Sequence, residues 1–337
     1  MVMREPQRVT LPGMPERVTI YEVGPRDGLQ NEQPTVSAAA KAEFIERLVR
    51  AGLSTIEVAG FVHPKRVPQL ADAEDVLDLL RRRPGIRYPV LVPTVTGLQR
   101  AMSRDVREIA VFASASETFS QRNLGRGIDD SLRMFAPVVR TARAAGLEVR
   151  CYVSMCCGDP WEGAVPASRV VEVATRLLEF GGTQVALGDT IGAGTPGQVT
   201  DLIGALNEAG VDSADIAVHF HDTYGQALAN VVAALRAGVR TVDSAAGGLG
   251  GCPFAESSAG NLATEDLVWM LHGLGIGTGV SLDELVRTSV WMADLLGRPS
   301  VSRTVQALAP HLRATDDTAS GQDTERPALG GVAAGSR

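Results

Sequence analysis

Residues 184–245, QVALGDTIGAGTPGQVTDLIGALNEAGVDSADIAVHFHDTYGQALANVVAALRAGVRTVDSA, decide the fold. Three short runs, Gln184–Gly188, Asp215–Phe220 and Thr241–Ala245, are rich in β-branched and small apolar residues. Between them, Val199–Ala209 and Ala227–Ala237 repeat apolar residues at helical spacing. The same alternation extends upstream through strands at Val18–Val23, Thr55–Ala59, Val90–Pro93, Glu108–Ala113 and Glu148–Val153. Further helices are expected over Ala38–Ala51, Ala73–Arg82, Leu132–Ala145, Ser168–Phe180 and Thr264–Leu274. Glycines such as Gly146, Gly181 and Gly238 mark helix ends, where a left-handed residue stops the helix.

Eight such β–α units, each of roughly 25–30 residues, match a closed (β/α)8 TIM barrel of the α/β class. The competing architecture, an open doubly wound sheet, favours a GxGxxG turn after its first strand. Here Gly24-Pro25-Arg26-Asp27-Gly28 follows instead. Helix Leu282–Leu296 is expected on the barrel exterior. The chain therefore divides into a loose, proline-punctuated arm (1–16), a barrel with an appended C-terminal helix (17–303) and a tail (313–337). That tail is small, polar and glycine-rich, and is expected to be disordered because it cannot bury enough apolar area.

With 45% apolar residues among 337, the chain can bury a large core. Its 32 basic against 39 acidic residues, a net charge of −7, argue against a nucleic-acid partner. No apolar run approaches the about 18 residues of a membrane span. Four cysteines are too few for a disulfide framework, which points to a reducing, cytoplasmic compartment.

A barrel places its reactive residues at strand C-termini. His219-Phe-His221 is the strongest signal, because residues i and i+2 of a strand share a face and both imidazoles enter one site. Neutral imidazoles suit divalent metals, and Asp222 could orient one ring. Two half-exposed histidines fit the same motif. Asp27 could supply a carboxylate from across the barrel mouth, or serve only its turn. Arg26 could stabilise oxyanion charge through its donor fork, or form a surface ion pair. Glu57 stands in an apolar strand, and a buried carboxylate needs a partner, for which Arg26 is placed. That pair reads equally as functional or structural. Gly247–Gly251 followed by Cys252-Pro253 could be a lid carrying a thiol, or a permissive turn. A P-loop is excluded, since no Lys-Ser/Thr follows.

Four segments, EVGPRDGLQNE (22–32), LGDTIGAGTPG (187–197), HFHDTYGQALAN (219–230) and GGLGGCPFAESSAGNLATED (247–266), occur together in this order. Through them the chain resembles the 3-hydroxy-3-methylglutaryl-CoA lyase family of metal-dependent TIM-barrel lyases, from about residue 17 to about 303. The resemblance implies that Asp27, His219, His221 and Asn261 hold Mg²⁺ or Mn²⁺, with other divalent cations able to fit. It implies retro-Claisen cleavage of a 3-hydroxy-3-methylglutaryl-CoA-like thioester to acetyl-CoA and acetoacetate. Asp27 or His219 would take the hydroxyl proton, Arg26 would stabilise the enolate, and Cys252 would protonate or shield it. Glu57 and Asp189 would organise the site, with Glu22 and Glu265 in support. A cytoplasmic homo-oligomer, a dimer, acting in leucine degradation and ketone-body metabolism is also implied.

The chain departs from the family pattern at Gly60 and Ala186, where small hydroxyl residues are usual, and in the 154–161 loop. A hydrogen bond to a charged group is worth roughly 1.5–3 kcal/mol. Losing two weakens recognition of the methylglutaryl carboxylate or makes room for a different 3-alkyl group. A Claisen-condensing acyltransferase of the same superfamily is the remaining alternative, disfavoured because such enzymes usually carry a long extra C-terminal region.

Overall fold

The computed structural model describes residues 3–33, 35–251 and 260–320, with side chains described up to residue 312. Nine parallel strand segments form one sheet: β1 Thr19–Glu22, β2 Thr55–Ile56, β3 Ala59–Gly60, β4 Val90–Leu91, β5 Glu108–Ser114, β6 Glu148–Ser154, β7 Gln184–Asp189, β8 Ile216–Phe220 and β9 Thr241–Ser244. The hydrogen-bonded order begins at β2 and ends at β3. These two are consecutive halves of one chain segment, so the sheet closes on itself. Glu57 N donates to Glu22 O of β1 at 2.8 Å, while Val58 N donates to Pro89 O at 3.0 Å and Phe61 N to Leu91 O at 2.7 Å. One strand therefore bonds both neighbours, and the barrel is eight-membered, as the eight-unit reading requires.

The crossovers are helical. Those between β1 and β5 carry α1 Ala38–Arg50, α2 Ala73–Leu79 and α3 Val95–Met102; then come α4 Glu117–Leu124, α5 Ile128–Ala144, α6 Ala167–Glu179, α7 Pro196–Glu208 and α8 Ala227–Arg236. After β9 follow α9 Thr264–Gly273, α10 Leu282–Leu296 and α11 Arg303–Ser320. Helix starts are written locally: Ser37, Thr94 and Ser116 each accept a backbone N–H from the first turn of α1, α3 and α4. The apolar faces pack against the barrel exterior, with Phe44, Ile45 and Leu48 of α1 and Phe135, Val138 and Val139 of α5 fully buried.

One expectation for the termini changes. The N-terminal arm is pinned rather than loose: Val9 N donates to Gly273 O and Gly277 N to Glu16 O, both at 2.8 Å. The turns after α9 offer backbone groups that the helix leaves unpaired. At the other end α11 runs to Ser320, into the segment expected to be disordered. It buries Val305, Leu308 and Leu312, and once such a face nucleates a helix, each added residue gains a hydrogen bond. Residues 321–337 lie outside the described residues.

Two buried carboxylates fasten the last turns of the barrel. Glu22 accepts from Gly24 N (2.8 Å), Ala246 N (2.9 Å) and Thr264 Oγ1 (2.6 Å). Glu265 accepts from Gly247 N through both oxygens, at 3.1 and 2.9 Å, and from Ser289 Oγ of α10. Burial pushes the Glu22 carboxyl up to about 7 and that of Glu265 up to about 8, although these hydrogen bonds oppose the shift.

Replacing Leu48 by Ala should cost about 2–5 kcal/mol through lost burial and a cavity. Urea unfolding reads this as a lower midpoint at unchanged slope; a loss under about 1 kcal/mol would mean that the site collapses to fill it. For Glu265, the folded state binds a proton more tightly than the unfolded chain. Its stabilising contribution is full below pH 4.5 and is lost as pH rises to about 8. Glu265→Gln should therefore flatten the fall of thermal stability across that window; an unchanged slope would show that another group sets it.

Candidate active site

The residues singled out in the sequence meet at the C-terminal mouth of the barrel. β1 runs into a single π-helical turn, Gly24–Gly28, that carries Arg26 and Asp27 inward. Arg26, 5% exposed, donates from Nε to Glu57 Oε1 at 3.0 Å, from Nη2 to Glu57 Oε2 at 3.1 Å and from Nη1 to Asp27 Oδ1 at 2.7 Å. Glu57 is fully buried and also accepts from Tyr152 Oη at 2.7 Å. Arg26 is thus the partner that burial of Glu57 demands. Two of the five guanidinium N–H donors remain uncommitted by these bonds.

His219 and His221 lie on one face at the end of β8, their ring centroids 5.4 Å apart. An antiparallel bridge sets Asn261 beside His221, so the chain after β9 returns to the mouth. Asn261 Nδ2 donates to Asp27 Oδ2 at 2.9 Å and to Leu249 O at 3.0 Å, which fixes the orientation of the amide. The close return needs glycine: a Cβ at Gly260 would lie 2.2 Å from Gly250 O.

Asp27, His219 and His221 each offer a ligand atom, all within 4.8 Å of one another. Asn261 Oδ1 and His221 Nδ1 are buried with no hydrogen-bond partner among the described residues. Partnerless buried acceptors beside a carboxylate are costly unless a cation satisfies them. The protonation states of His221 and Asp27 agree; at His219 burial would lower the imidazole, but the hydrogen bond and charge of Asp243, with Asp27, raise it above its usual pKa, so a cation there would displace a proton. Burial, together with His219, holds His221 down at about 4, so its ring is neutral. Burial alone would raise Asp27, but Arg26, His219 and the hydrogen bond from Asn261 hold it down at about 2. The oxygen and nitrogen donors present therefore fit a divalent cation such as Mg²⁺ or Mn²⁺.

Other expected residues fall differently. Asp222 does not orient a site histidine; its Oδ1 accepts from Ala227 N at 3.0 Å and caps the start of α8. The carboxylate on His219 is Asp243, whose Oδ2 lies 3.1 Å from Nδ1. Asp189, at the end of β7, accepts from Ala193 N at 3.0 Å and Gly194 N at 2.8 Å and shapes its own loop; burial pushes its carboxyl up to about 6. Cys252 lies outside the described residues. Cys156 and Cys157 are buried, and burial pushes the Cys157 thiol up to about 12, which suits no nucleophile. Gly60 lies beside the Arg26 stem, where a Cβ would crowd Leu70 Cδ1 at 3.1 Å and reach Arg26 Cγ at an ordinary 3.7 Å. Ala186 lies in the barrel interior among Leu91, Ala110, Tyr152 and Ala217.

Sequence reasoning missed Arg150, Tyr152 and Asp243. Each stands at an inward position of its strand, where a buried polar side chain needs a partner.

Comparison with known proteins agrees with this arrangement. The HMGL-like family model matches residues 17–291. The mitochondrial hydroxymethylglutaryl-CoA lyase of Rattus norvegicus is 49% identical over 295 residues, covering 87% of this chain and 90% of that protein. The cytoplasmic 3-hydroxy-3-methylglutaryl-CoA lyase of the same organism is 46% identical over 297 residues, covering 88% and 86%. The crystal structure of hydroxymethylglutaryl-CoA lyase from Pseudomonas aeruginosa superposes with a TM-score of 0.86 at 45% identity, covering 89% of this chain and 99% of that one. A barrel closed through Glu57, with these motifs at its mouth and a family match over most of its length, identifies the chain as a member of the HMGL-like family.

Proposed function

We propose that the chain is a divalent-metal-dependent carbon–carbon lyase that cleaves a 3-hydroxy-3-methylglutaryl-CoA-like thioester to acetyl-CoA and acetoacetate. The observation that carries this reading is the convergence of Asp27, His219, His221 and Asn261, two of them with partnerless buried acceptors, beside the Arg26 fork. Family membership supports the acyl-CoA substrate. Mg²⁺ or Mn²⁺ is the proposed ion, since the donor set mixes hard oxygens with imidazole nitrogen. When bound, such an ion lowers the pKa of a substrate hydroxyl and fixes its orientation.

The protein's own groups do the rest. Asp27 accepts the hydroxyl proton: a carboxylate can face a cation with one oxygen and take a proton on the other, whereas His219 has Nδ1 engaged by Asp243. The C2–C3 bond then breaks, its electron pair moves to the thioester as an enolate, and the hydroxyl carbon becomes the ketone of acetoacetate. Arg26, with its two uncommitted N–H groups, donates to the enolate oxygen, and Glu57 and Tyr152 keep the fork from swinging away. Proton return to the enolate carbon gives acetyl-CoA, with Cys252 proposed to deliver or shield that proton.

Gly60 and Ala186 favour a second reading, cleavage of a thioester with a longer 3-alkyl group, because both positions lack a hydroxyl beside the site. The proposal includes a homodimer, which the family implies, and a cytoplasmic location, supported by a cytoplasmic relative at 46% identity.

Chelation should abolish acetyl-CoA release, and Mg²⁺ or Mn²⁺ should restore it; full turnover after exhaustive chelation would overturn the metal reading. Arg26→Met should lower kcat by roughly 10²-fold or more with bound metal unchanged; a mild effect would remove Arg26 from the enolate. A panel of 3-hydroxy-3-alkylglutaryl thioesters, compared by kcat/KM, decides between methyl and longer substituents.

A further inference from the structure

Beneath the site lies an ionic layer that the cleavage chemistry does not use. Barrel interiors are ordinarily filled by branched apolar side chains. Here Arg150 of β6, 1% exposed, donates from Nη2 to Asp243 Oδ1 and from Nη1 to Gln184 Oε1, the latter at 2.8 Å. Its guanidinium carbon lies 3.8 Å from the Tyr21 ring centroid. Strand register stacks this layer under the mouth, since Asp243 pairs with His219 across β8–β9 and with Tyr21 across β1–β9. Replacing a buried ion pair by apolar residues of similar volume is often neutral or stabilising. Stability alone therefore does not account for Arg150 and Asp243 in this place.

Each Asp243 oxygen has its own partner, Arg150 at Oδ1 and His219 Nδ1 at Oδ2. A carboxylate paired with a guanidinium is an acceptor only, so the imidazole must donate from Nδ1. In the neutral ring that leaves the lone pair on Nε2, the nitrogen 4.0 Å from Asp27 Oδ2 and facing the cluster. Rotation of the ring about its Cβ–Cγ bond would break the Asp243 bond and place carbon where Nε2 stands. We propose that Arg150 and Asp243 are positioning residues of the metal centre: Asp243 fixes the tautomer and ring orientation of His219, and Arg150, braced by Gln184, fixes Asp243. This rests on the metal reading above.

The test is direct Mn²⁺ binding to the full-length protein, read by electron paramagnetic resonance of free Mn²⁺, beside acetyl-CoA release. Asp243→Asn and Arg150→Met should each weaken Mn²⁺ binding by roughly 10–100-fold. The double variant should bind no more weakly than the worse single one, because the two act as one chain. Leu48→Ala, destabilised without touching the layer, should bind Mn²⁺ like the parent. Should Asp243→Asn not fold, Arg150→Lys carries the same reading, since it keeps the charge and loses the fork. Binding within about twofold of the parent in these variants, or an equal loss in Leu48→Ala, overturns the proposal. A parent that takes up no Mn²⁺ overturns the metal reading itself, and this inference with it.

Discussion

The Glu22 carboxylate, fully buried and without a cationic partner among the described residues, joins the beginning of the barrel to its end. Its three donors are Gly24 N in the turn that carries Arg26 and Asp27, Ala246 N just after β9, and Thr264 Oγ1 just after Asn261. Residues more than 230 positions apart meet at 2.9 Å as Asn261 Nδ2 and Asp27 Oδ2 because these backbones are clasped there. Gly24 is part of the clasp, since a Cβ there would lie 2.5 Å from Glu22 Oε1. Burial of the carboxylate is unfavourable, as its rise to about 7 records, and three hydrogen bonds offset that penalty. Geometry at the mouth is bought with a group that contributes little net stability.

Inside the barrel two hydrogen-bonded chains converge. Tyr152, Glu57 and Arg26 lead to Asp27 Oδ1, while Gln184, Arg150 and Asp243 lead to His219. The Tyr152 ring sits edge-on to His219 with centroids 5.8 Å apart, so the chains touch. Such buried ions gain from one another only when every partner is present. The fold can carry them because its main apolar core lies elsewhere, between the strand exteriors and the helices, where Phe44, Leu48, Phe135 and Val173 are fully buried. The outer layer holds the barrel together and leaves the inner one available for chemistry.

Much of this was legible in the sequence because it is written locally. Alternating strand and helix composition gave the eight units, and Leu282–Leu296 matches α10 residue for residue. A carboxylate in the apolar strand at Glu57 pointed to a buried partner, and Arg26 is that partner. What failed depended on register. Asp222 adjoins His221 in the chain, yet the carboxylate that reaches a histidine comes from Asp243 on the next strand, and cross-strand pairing is invisible to a single sequence. Arg150 stands mid-strand in Glu148-Val-Arg150-Cys-Tyr-Val, with a buried-charge signal like that of Glu57, but its partner Asp243 comes from a strand not adjacent to it in the sequence. The backbone of α11 runs to Ser320, a few residues into the small polar segment that begins near Arg313, because it follows the apolar face that starts it rather than its own residues.

The interior also bears on which acyl groups the site can tell apart. Leu91, Ala110, Ala186 and Ala217 form, with Tyr152, a buried floor inside the barrel, with Val62 and Phe112 partly buried against it. Its one hydrogen-bonding side chain among the described residues, Tyr152, is committed to Glu57, so the floor offers no free donor to a carboxylate. The acid end of a substrate must then be read by the Arg26 donors and the ligand cluster, which also read the reacting atoms. An apolar floor separates neighbouring alkyl lengths by only about 1–3 kcal/mol per methylene. A missing polar partner is discriminated far more strongly than an extra methylene, so selectivity in this chain falls on the charged and hydroxyl groups of the substrate, while the 3-substituent is read coarsely, by volume.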